Sequence, residues 1–323
     1  TGGTGFVGAN VARALLEDGW SVRALARPGS DRRNLDGLPL EVVDGDLNDP
    51  DLAATIGPVD AVFHVAAHYS LYRADYDALV RSNVDGTRNV LAAARAAGAG
   101  RTVYTSSVAA IGVRHGAVAD ETHQSSPGEL VGAYKRSKYH AEREAVAAAA
   151  AGQDVVIVNP TTPVGPWDRK PTPTGEIFVR FMRGGMWATV DTGLNIVDVE
   201  DVARGHLLAY DKGRTGERYI LGGENLRLQT LLERVGEATG RKPPRFTVPI
   251  WLPLAVAWTE ERVLARLGRT PTVPLDGVKM SGESMYYDAS KARHELGFAP
   301  KPIDGAIRAA IRWFVDNGYT AAH

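Results

Sequence analysis

The amino-acid sequence predicts an α/β protein whose parallel sheet is covered by helices on both faces. Three observations support this prediction: a glycine run at the start of the chain, apolar strands that alternate with helices as far as residue 158, and a change of rhythm after Pro160. Strands and helices that alternate at this length form βαβ units, which right-handed crossovers order into a doubly wound sheet. We therefore expect a Rossmann-type domain over residues 1–160 and a smaller C-terminal lobe over most of residues 161–323.

The glycine run, Thr1–Gly8, places glycines at positions 2, 5 and 8 and leads directly into a helix predicted over residues 6–18. A turn without side chains lets backbone N–H groups approach a pyrophosphate, and the following helix points its positive end at the same charge. The spacing is Gly-x-x-Gly-x-x-Gly, rather than the Gly-x-Gly-x-x-Gly that is usual for dinucleotides. The first domain is therefore predicted to bind a dinucleotide, and the smaller lobe to bind the substrate. The predicted phosphate-binding residues are Gly2, Thr4, Gly5, Phe6, Val7 and Gly8.

The other elements of the first domain follow from apolar periodicity and from glycine and proline breaks. A buried strand should stand immediately before the first glycine of such a turn, so we expect the natural protein to carry a short apolar segment before Thr1. Further strands are predicted at residues 21–27, 40–44, 60–65, 101–106 and 154–158. Further helices are predicted from about residue 49, at 75–97 and at 131–151.

The pattern changes in the second half of the chain. Residues 159–175 contain five prolines and two glycines, which predict a loop. Segments near residues 195–215 and 284–297 are expected to return to the first domain. Short helices are predicted at residues 175–184, 227–239 and 250–267, with strands near residues 187–190, 195–198 and 217–221.

Composition excludes several classes of function. The net charge is −1 and the basic residues are dispersed, so neither nucleic acid nor an anionic membrane surface is an expected partner. The chain has no cysteine, which excludes disulfides and is typical of a cytoplasmic protein, and no His or carboxylate cluster has metal-ligand spacing. The longest apolar run, Ile250–Trp258, is too short to span a bilayer. We expect it to be core or a subunit contact rather than the lining of an apolar substrate pocket.

The segment Tyr134-Lys-Arg-Ser-Lys138 places a tyrosine and a lysine one helical turn apart on one face. A free phenol has a pKa of about 10, and a lysine cation beside it can lower that pKa towards the neutral range. Tyr134 is therefore predicted to move a proton at a substrate oxygen while hydride passes to or from nicotinamide. Lys138 is predicted to assist it and to bond the nicotinamide ribose. A second pair with this spacing, Tyr287 and Lys291, lies near the C-terminus and is expected to be structural.

Residues at the predicted carboxyl ends of the strands complete the site, because ligands bind at this edge of such sheets. Ser107, rather than Ser106, is predicted to hold the carbonyl or alkoxide oxygen of the substrate. Asn83 is expected to bond backbone behind the site and to fix the strand that carries Ser107; a purely structural asparagine is an equal alternative. Further cofactor contacts are expected from Val65, Ala66, Ala67, Asn83, Pro160 and Thr161. Substrate contacts are expected from His68, Tyr69, Ser107 and Thr162, and a surface loop is an equal alternative for His68 and Tyr69.

The end of the second strand predicts which nicotinamide cofactor is bound. An acidic residue there favours NAD, whereas an arginine can pair with the 2′-phosphate of NADP. Residues 22–30 contain no acid, and Arg27 ends the strand with Arg32 close behind, so NADP(H) is expected in preference to NAD(H). Solvated arginines on a polar loop are the alternative. Asp46 and Leu47 are expected near the adenine, with Asp46 accepting from its exocyclic amine.

Together these residues resemble those of the extended short-chain dehydrogenase/reductases. The resemblance covers essentially the whole chain and includes, besides the glycine run, the motifs Gly45-Asp46-Leu47, Asn83-Val-x-Gly-Thr, Thr105-Ser-Ser107, Tyr134-x-x-x-Lys138, Asn159-Pro-x-x-x-x-Gly165-Pro166, Asp201-Val-Ala and Ser290-Lys-Ala-x-x-Glu-Leu-Gly297. Several stretches are similar to the hopanoid-associated sugar epimerases, and the dihydroflavonol reductases are the next most similar family. The chain departs from the superfamily at Asn159, where arginine is common, and at Asp198, where histidine is usual.

The resemblance implies three alternative functions. The first is an NAD(P)-dependent sugar epimerase, in which hydride leaves a sugar carbon and returns to its other face. The second is an NADPH-dependent ketone or aldehyde reductase of the dihydroflavonol type, with the same residues and a released cofactor. The third is a catalytically silent NADP-sensing module, which the intact set of Ser107, Tyr134 and Lys138 argues against. A homodimer through the helices predicted at residues 75–97 and 131–151 is expected, as is common in the superfamily.

Overall fold

The structure, a computed structural model, describes residues 1–266 and 275–321. Its first part contains α1 (Phe6–Glu17), β1 (Arg23–Ala26), β2 (Glu41–Asp44), α2 (Leu52–Ile56), β3 (Ala61–His64), α3 (Tyr76–Leu79), α4 (Gly86–Ala96), β4 (Arg101–Thr105), α5 (Val108–Ile111), α6 (Ala133–Ala150) and β5 (Val155–Pro160). Its second part contains β6 (Thr162–Val164), α7 (Pro173–Met182), β7 (Ala188–Val190), β8 (Gly193–Asp198), α8 (Val199–Lys212), β9 (Arg218–Leu221), β10 (Glu224–Arg227), α9 (Leu228–Thr239), β11 (Phe246–Val248), α10 (Trp251–Arg266), α11 (Leu275–Met280) and α12 (Asp304–Asp316).

The central sheet is parallel, with the strand order β3-β4-β5-β9, and β1 and β2 form a separate parallel pair. Residues 155–158 of β5 form an unbroken apolar run that is completely buried, as expected for a strand covered on both faces. Val155 and Ile157 pack with residues of α4 and α6, whereas Val156 and Val158 pack with residues of α8. Because alternate side chains of a strand point to opposite faces, helices cover both sides of the sheet. The predicted doubly wound α/β fold is confirmed.

Two segments from the second half of the chain pack on the first domain. Helix α8, which the Asp198 carboxylate caps at its N-terminus, lies against α1, β4 and β5. Strand β9 joins the central sheet beside β5, and the π-helical turn Ala292–Leu296 packs on α8 and β9. The first domain is therefore completed by residues distant in sequence.

The smaller lobe is built on a sheet with the order β10-β8-β6, on which α7, α9 and α12 pack. Strand β6 follows β5 almost directly and pairs in parallel with β8, so residues 159–175 are not the plain loop that their prolines predict. Pro163 is tolerated because β6 is an edge strand, where a missing main-chain donor costs no ladder hydrogen bond. Helix α7 begins at Pro173, two residues before the predicted start, because the Thr172 hydroxyl caps it.

The apolar run Ile250–Trp258 is core only in part, since Ala257 is completely buried while the large side chains of the run are not. Trp251, Val256 and Trp258 of α10 are at least half exposed. Of the two predicted roles, core is therefore wrong for these three side chains, and a subunit contact stays a prediction. In the part of the chain that the structure describes, no helix combines the length and the apolar character that crossing a membrane requires.

Candidate active site

The glycine run forms a tight turn that brings its backbone against the end of β3. The Gly5 amide donates to the Gly2 carbonyl at 2.9 Å, and Gly2 has a φ of +78°. A Cβ on Gly2 would lie 2.5 Å from the main-chain nitrogen of Ala66, and one on Gly8 would lie 2.1 Å from the Gly2 carbonyl oxygen. Neither position therefore has room for a side chain.

Helix α1 begins directly at this turn with its first amides open. Gly5 is its N-cap, and no side chain caps the helix. The first N–H groups of a helix have no partner within the helix and carry a partial positive charge. Phe6 and Val7 therefore present donors, next to the turn that contains Thr4, in an arrangement that suits the pyrophosphate of a dinucleotide. The residues present thus fit the expected cofactor.

Asn83 ties the loop after β3 to helix α6. It lies buried in a π-helical turn, Val80–Asp85, that interrupts the helix predicted over residues 75–97. Its Oδ1 accepts from the His68 amide at 2.7 Å, and its Nδ2 donates to the His68 carbonyl and to the Ser137 hydroxyl, both at 2.9 Å. The expectation that Asn83 fixes the strand carrying Ser107 is therefore wrong. Asn83 instead fixes the loop that contains Val65, Ala66, Ala67, His68 and Tyr69.

Ser107 and Tyr134 meet at the carboxyl edge of the central sheet. Ser107 follows β4 and caps α5, where its Oγ accepts from the Ala109 amide at 3.1 Å. The Tyr134 phenol lies beside the Ser107 hydroxyl, and the Tyr134 ring packs against Tyr69 with centroids 4.5 Å apart. Ser106, the alternative serine, is buried. The structure thus brings a hydroxyl, a phenol and an aromatic wall to one place.

Lys138 is fully buried behind this place. Its Nζ donates to the Thr105 carbonyl at 3.0 Å and to the Tyr104 hydroxyl at 3.3 Å, and no hydrogen bond joins it to Tyr134, although the structure describes both side chains. Burial lowers the pKa of Lys138 to about 8, and the Glu142 carboxylate, one helical turn further along α6, opposes that shift. The ammonium is therefore held in a fixed position beneath the carboxyl edge of the sheet.

Burial raises the pKa of Tyr134 to about 12, and the Ser107 hydroxyl offsets the rise only in part. The sequence predicts the opposite direction, through a lysine cation beside the phenol. That prediction is wrong for this structure, because Lys138 bonds Tyr104 and Thr105 instead. The phenol is neutral at physiological pH, and it can give its proton to a substrate oxygen where the phenolate that forms is stabilised.

A polar cluster that the sequence analysis does not assemble supports the site from behind. The Asn159 Nδ2 donates to the Ser107 carbonyl at 3.0 Å and to the Glu142 carboxylate at 2.7 Å. The Arg218 guanidinium, on β9, pairs with the same carboxylate at 3.0 Å. Asn159 occupies the position where the superfamily commonly has arginine, and Arg218 supplies a guanidinium from another strand. In the sequence, the departure from the superfamily pattern at position 159 is the one feature that points to this polar cluster.

The arginines at the edge beyond β1 differ in their pairing. Arg32 forms an ion pair with Asp44, and Arg33 pairs with Asp31 at 2.6 Å. The exposed Arg27 side chain makes no hydrogen bond or ion pair with any residue that the structure describes. Of the three arginines, Arg27 alone is thus available to a phosphate without the loss of an internal pair.

The remaining predicted residues lie at the ends of β2 and β5. Asp46 and Leu47 follow β2, and the Asp46 Oδ1 accepts from the Asn48 amide at 2.9 Å. The last three of the set lie on the same edge as Ser107: Pro160 ends β5, Thr161 connects it to β6, and Thr162 begins β6. Among the described residues, no group of three or more His, Asp or Glu side chains could hold a metal ion.

The second Tyr-x-x-x-Lys pair has partners of its own. The Tyr287 hydroxyl donates to the Gly112 carbonyl at 2.9 Å, and the Lys291 ammonium pairs with Glu217 at 2.6 Å. Tyr287 is also buried in an apolar cluster. These contacts agree with the structural role expected for the pair.

Fold and site together define an extended short-chain dehydrogenase/reductase: a doubly wound sheet, an open glycine turn at the start of α1, and a tyrosine and lysine on one helix beside a strand-end serine. The model of the NAD dependent epimerase/dehydratase family matches residues 1–222, and the chain belongs to this family.

Comparison with individual proteins agrees with this assignment. A Synechocystis protein that carries the provisional name dihydroflavonol 4-reductase is 60% identical over 99% of this chain and 94% of its own. Sterol demethylase protein B of Methylococcus capsulatus is 37% identical over 98% of each chain. The crystal structure of a nucleoside-diphosphate-sugar epimerase from Pseudomonas aeruginosa is similar with a TM-score of 0.80 and 30% identity, covering 99% of this chain and 97% of the other.

Proposed function

We propose that this protein is an NADP-dependent reductase of a ketone or aldehyde group. The observation that carries the proposal is the Tyr134 phenol, which lies beside the Ser107 hydroxyl at the carboxyl edge of the sheet. Such a pair can hold a carbonyl oxygen and give it a proton, as reduction requires. The 60% identity to a protein that carries a reductase name also supports reduction as the reaction.

Each side chain has a separate task in this proposal. The Ser107 hydroxyl donates to the substrate carbonyl oxygen and orients it, and the Tyr134 phenol transfers its proton to that oxygen. When bound, the nicotinamide cofactor supplies the hydride that the carbonyl carbon takes up. The Ser107 hydroxyl, whose hydrogen bond lowers the pKa of Tyr134, would stabilise the phenolate that remains, and Lys138 would donate to the nicotinamide ribose when the cofactor is bound. The glycine turn and the open amides of Phe6 and Val7 hold the pyrophosphate.

A sugar epimerase is the second candidate, because the chain resembles a solved nucleoside-diphosphate-sugar epimerase over nearly its whole length. The two functions differ in net redox change. A reductase consumes one NADPH for each alcohol formed, whereas an epimerase returns the hydride and consumes none. Absorbance of NADPH in the presence of aromatic ketones, and separately of nucleotide sugars, tests the proposal. Steady consumption with ketones supports it, and sugar epimerisation at constant absorbance contradicts it.

The cofactor preference for NADP follows from Arg27. We expect Arg27→Ala to weaken NADPH binding about tenfold or more and to leave NADH binding nearly unchanged, because a charge-assisted hydrogen bond to a phosphate contributes roughly 1.5–3 kcal/mol. Arg33→Ala is the matched control, since Asp31 already pairs with that guanidinium. Fluorescence titration measures both affinities. Equal losses for the two cofactors in Arg27→Ala would argue against this role.

The pH dependence of reduction should report Lys138. Its pKa is lowered by burial to about 8, so kcat/KM is expected to fall as the pH rises through about 8 and the ammonium loses its proton. Because Glu142 raises the pKa of Lys138, Glu142→Gln should move this fall to lower pH. Glu144→Gln is the control on the same helix, since Glu144 pairs with Arg88 instead. A profile that Glu142→Gln does not shift would contradict the coupling.

We also propose that the protein forms a homodimer through the outer faces of α4 and α6. An ion pair between Arg88 of α4 and Glu144 of α6, at 2.8 Å, already joins these helices into one surface. Sedimentation equilibrium measures the assembly state. A monomer at micromolar concentration would contradict this proposal without affecting the assignment of the site.

A further inference from the structure

A small pocket lies between the two elements that carry the candidate catalytic residues. Its volume is about 120 Å³, enough for a carboxylate-sized group with its hydrogen-bond partners. Gly112, which ends the short helix that Ser107 caps, lines one side, and Lys135, which follows Tyr134 in α6, lines another. The lining thus begins one residue after Tyr134 in α6 and five residues after Ser107 in the chain, and a series of substrates of increasing length can test whether one ligand spans both places.

Lys135 is the unusual member of the lining. Its side chain is only 4% exposed, and it makes no hydrogen bond or ion pair with any residue that the structure describes. Burial lowers the pKa of Lys135, and the charge of Glu283 opposes this without contact. A ligand that supplied an acceptor in the pocket would therefore bond this ammonium without breaking a hydrogen bond within the described residues.

The other charged groups around the pocket are engaged with one another or lie at its rim. Glu129 is exposed and accepts from the Ser126 amide and hydroxyl. Glu283 lies 3.5 Å from His115, which is 81% exposed. The exposed Arg114 adds a second cation at the rim. The lining thus carries two cations and two carboxylates, and among them Lys135 is the buried group without a hydrogen bond of its own to the described residues.

The floor of the pocket is formed by a close backbone contact. The Ser125 amide donates to the Ile111 carbonyl at 2.9 Å, and a Cβ on Gly112 would lie 2.1 Å from the Ser125 Oγ. Gly112 also has a φ of +92°. The shape of the pocket is thus set by the backbone, and its lining does not depend on a mobile side chain at position 112.

We propose that this pocket binds a carboxylate of the substrate, so that the reductase acts on oxo acids in preference to their neutral analogues. The Lys135 ammonium can donate a charge-assisted hydrogen bond to a carboxylate, and it makes no such bond with any residue that the structure describes. The pocket determines specificity, while Ser107 and Tyr134 act on the carbonyl. The inference rests on the proposed reductase function.

The test uses benzoylalkanoates with two to five methylene groups and their methyl esters as probes. Calorimetry measures binding of each probe to the NADP⁺-loaded protein, in which the cofactor has no hydride to transfer. The expected result is that at least one acid binds about tenfold or more tightly than its ester. Lys135→Met should abolish this preference, Lys135→Arg should keep most of it, and Lys242→Met, at an exposed lysine, should keep all of it.

Three results overturn the proposal: equal affinity for every acid and its ester, no measurable binding of any acid, or a preference that survives in Lys135→Met. Thermal unfolding shows whether Lys135→Met is folded; its midpoint should be no lower than that of the wild type, since removal of a buried unpaired charge does not cost stability. NADPH consumption separates this inference from the proposed function. If no ketone is reduced while the acid preference persists, the reductase assignment fails and the subsite stands.

Discussion

Tyr134→Phe is expected to slow ketone reduction by roughly a hundredfold to ten-thousandfold, the usual range for loss of a positioned proton donor. The change removes only the hydroxyl that lies beside Ser107 and keeps the ring that packs against Tyr69. Affinity for NADPH should change little, because the phosphate-binding turn is untouched. Single-turnover absorbance measures the rate of hydride transfer, and fluorescence titration measures cofactor affinity.

The matched control for this variant is Tyr139→Phe. Tyr139 lies on the same helix and packs against His140, away from the candidate site. It should reduce ketones at the wild-type rate. If Tyr134→Phe keeps the wild-type rate as well, the phenol is not the proton donor and the catalytic assignment fails.

Gly8→Ala is expected to weaken cofactor binding about a hundredfold or more, because the added Cβ would lie 2.1 Å from the Gly2 carbonyl oxygen. The space beside Gly2 is also filled, since a Cβ on Gly2 would lie 2.5 Å from the Ala66 nitrogen at the end of β3. The turn that presents the first amides of α1 must therefore open. Titration with NADPH, together with thermal unfolding to establish that the variant is folded, measures the effect.

Gly3→Ala provides the control within the same run. Its Cβ would meet the Ala24 and Leu35 side chains at 3.4 Å or more, which is ordinary van der Waals contact. Cofactor affinity in Gly3→Ala should stay within a few-fold of wild type. A folded Gly8→Ala protein that binds NADPH as tightly as Gly3→Ala would show that the pyrophosphate does not bind at this turn.

Much of this architecture is predictable from the sequence because it depends on local pattern. The apolar run of β5 and the glycine breaks around α1 and α4 act over a few residues, and their elements appear where the sequence predicts them. The prediction of a loop over residues 159–175 is wrong because the structure there depends on more than local pattern. Proline disfavours a central strand, but β6 is paired on one side only, which is a property of the sheet and not of the segment.

The contacts of the candidate site also divide into those that the sequence predicts and those that it does not. The sequence predicts that Ser107 and Tyr134 lie close together, because Ser107 follows a predicted strand and Tyr134 lies on the next long helix. In the structure both residues lie at the carboxyl edge of the sheet. The sequence does not predict that Lys138 bonds Tyr104 and Thr105, because the choice of partner depends on which side chains surround the ammonium once it is buried. The pairing of Arg218 with Glu142 also depends on β9 entering the sheet beside β5, far along the chain.

The most direct test of the central claim is the stoichiometry of one reaction. Purified protein is incubated with NADPH and an aromatic ketone acid, and the NADPH consumed and the alcohol formed are measured in the same sample. The account predicts one alcohol for each NADPH oxidised, with both signals lost in Tyr134→Phe. Absence of alcohol from every ketone, together with epimerisation of a nucleotide sugar at constant NADPH, would contradict it.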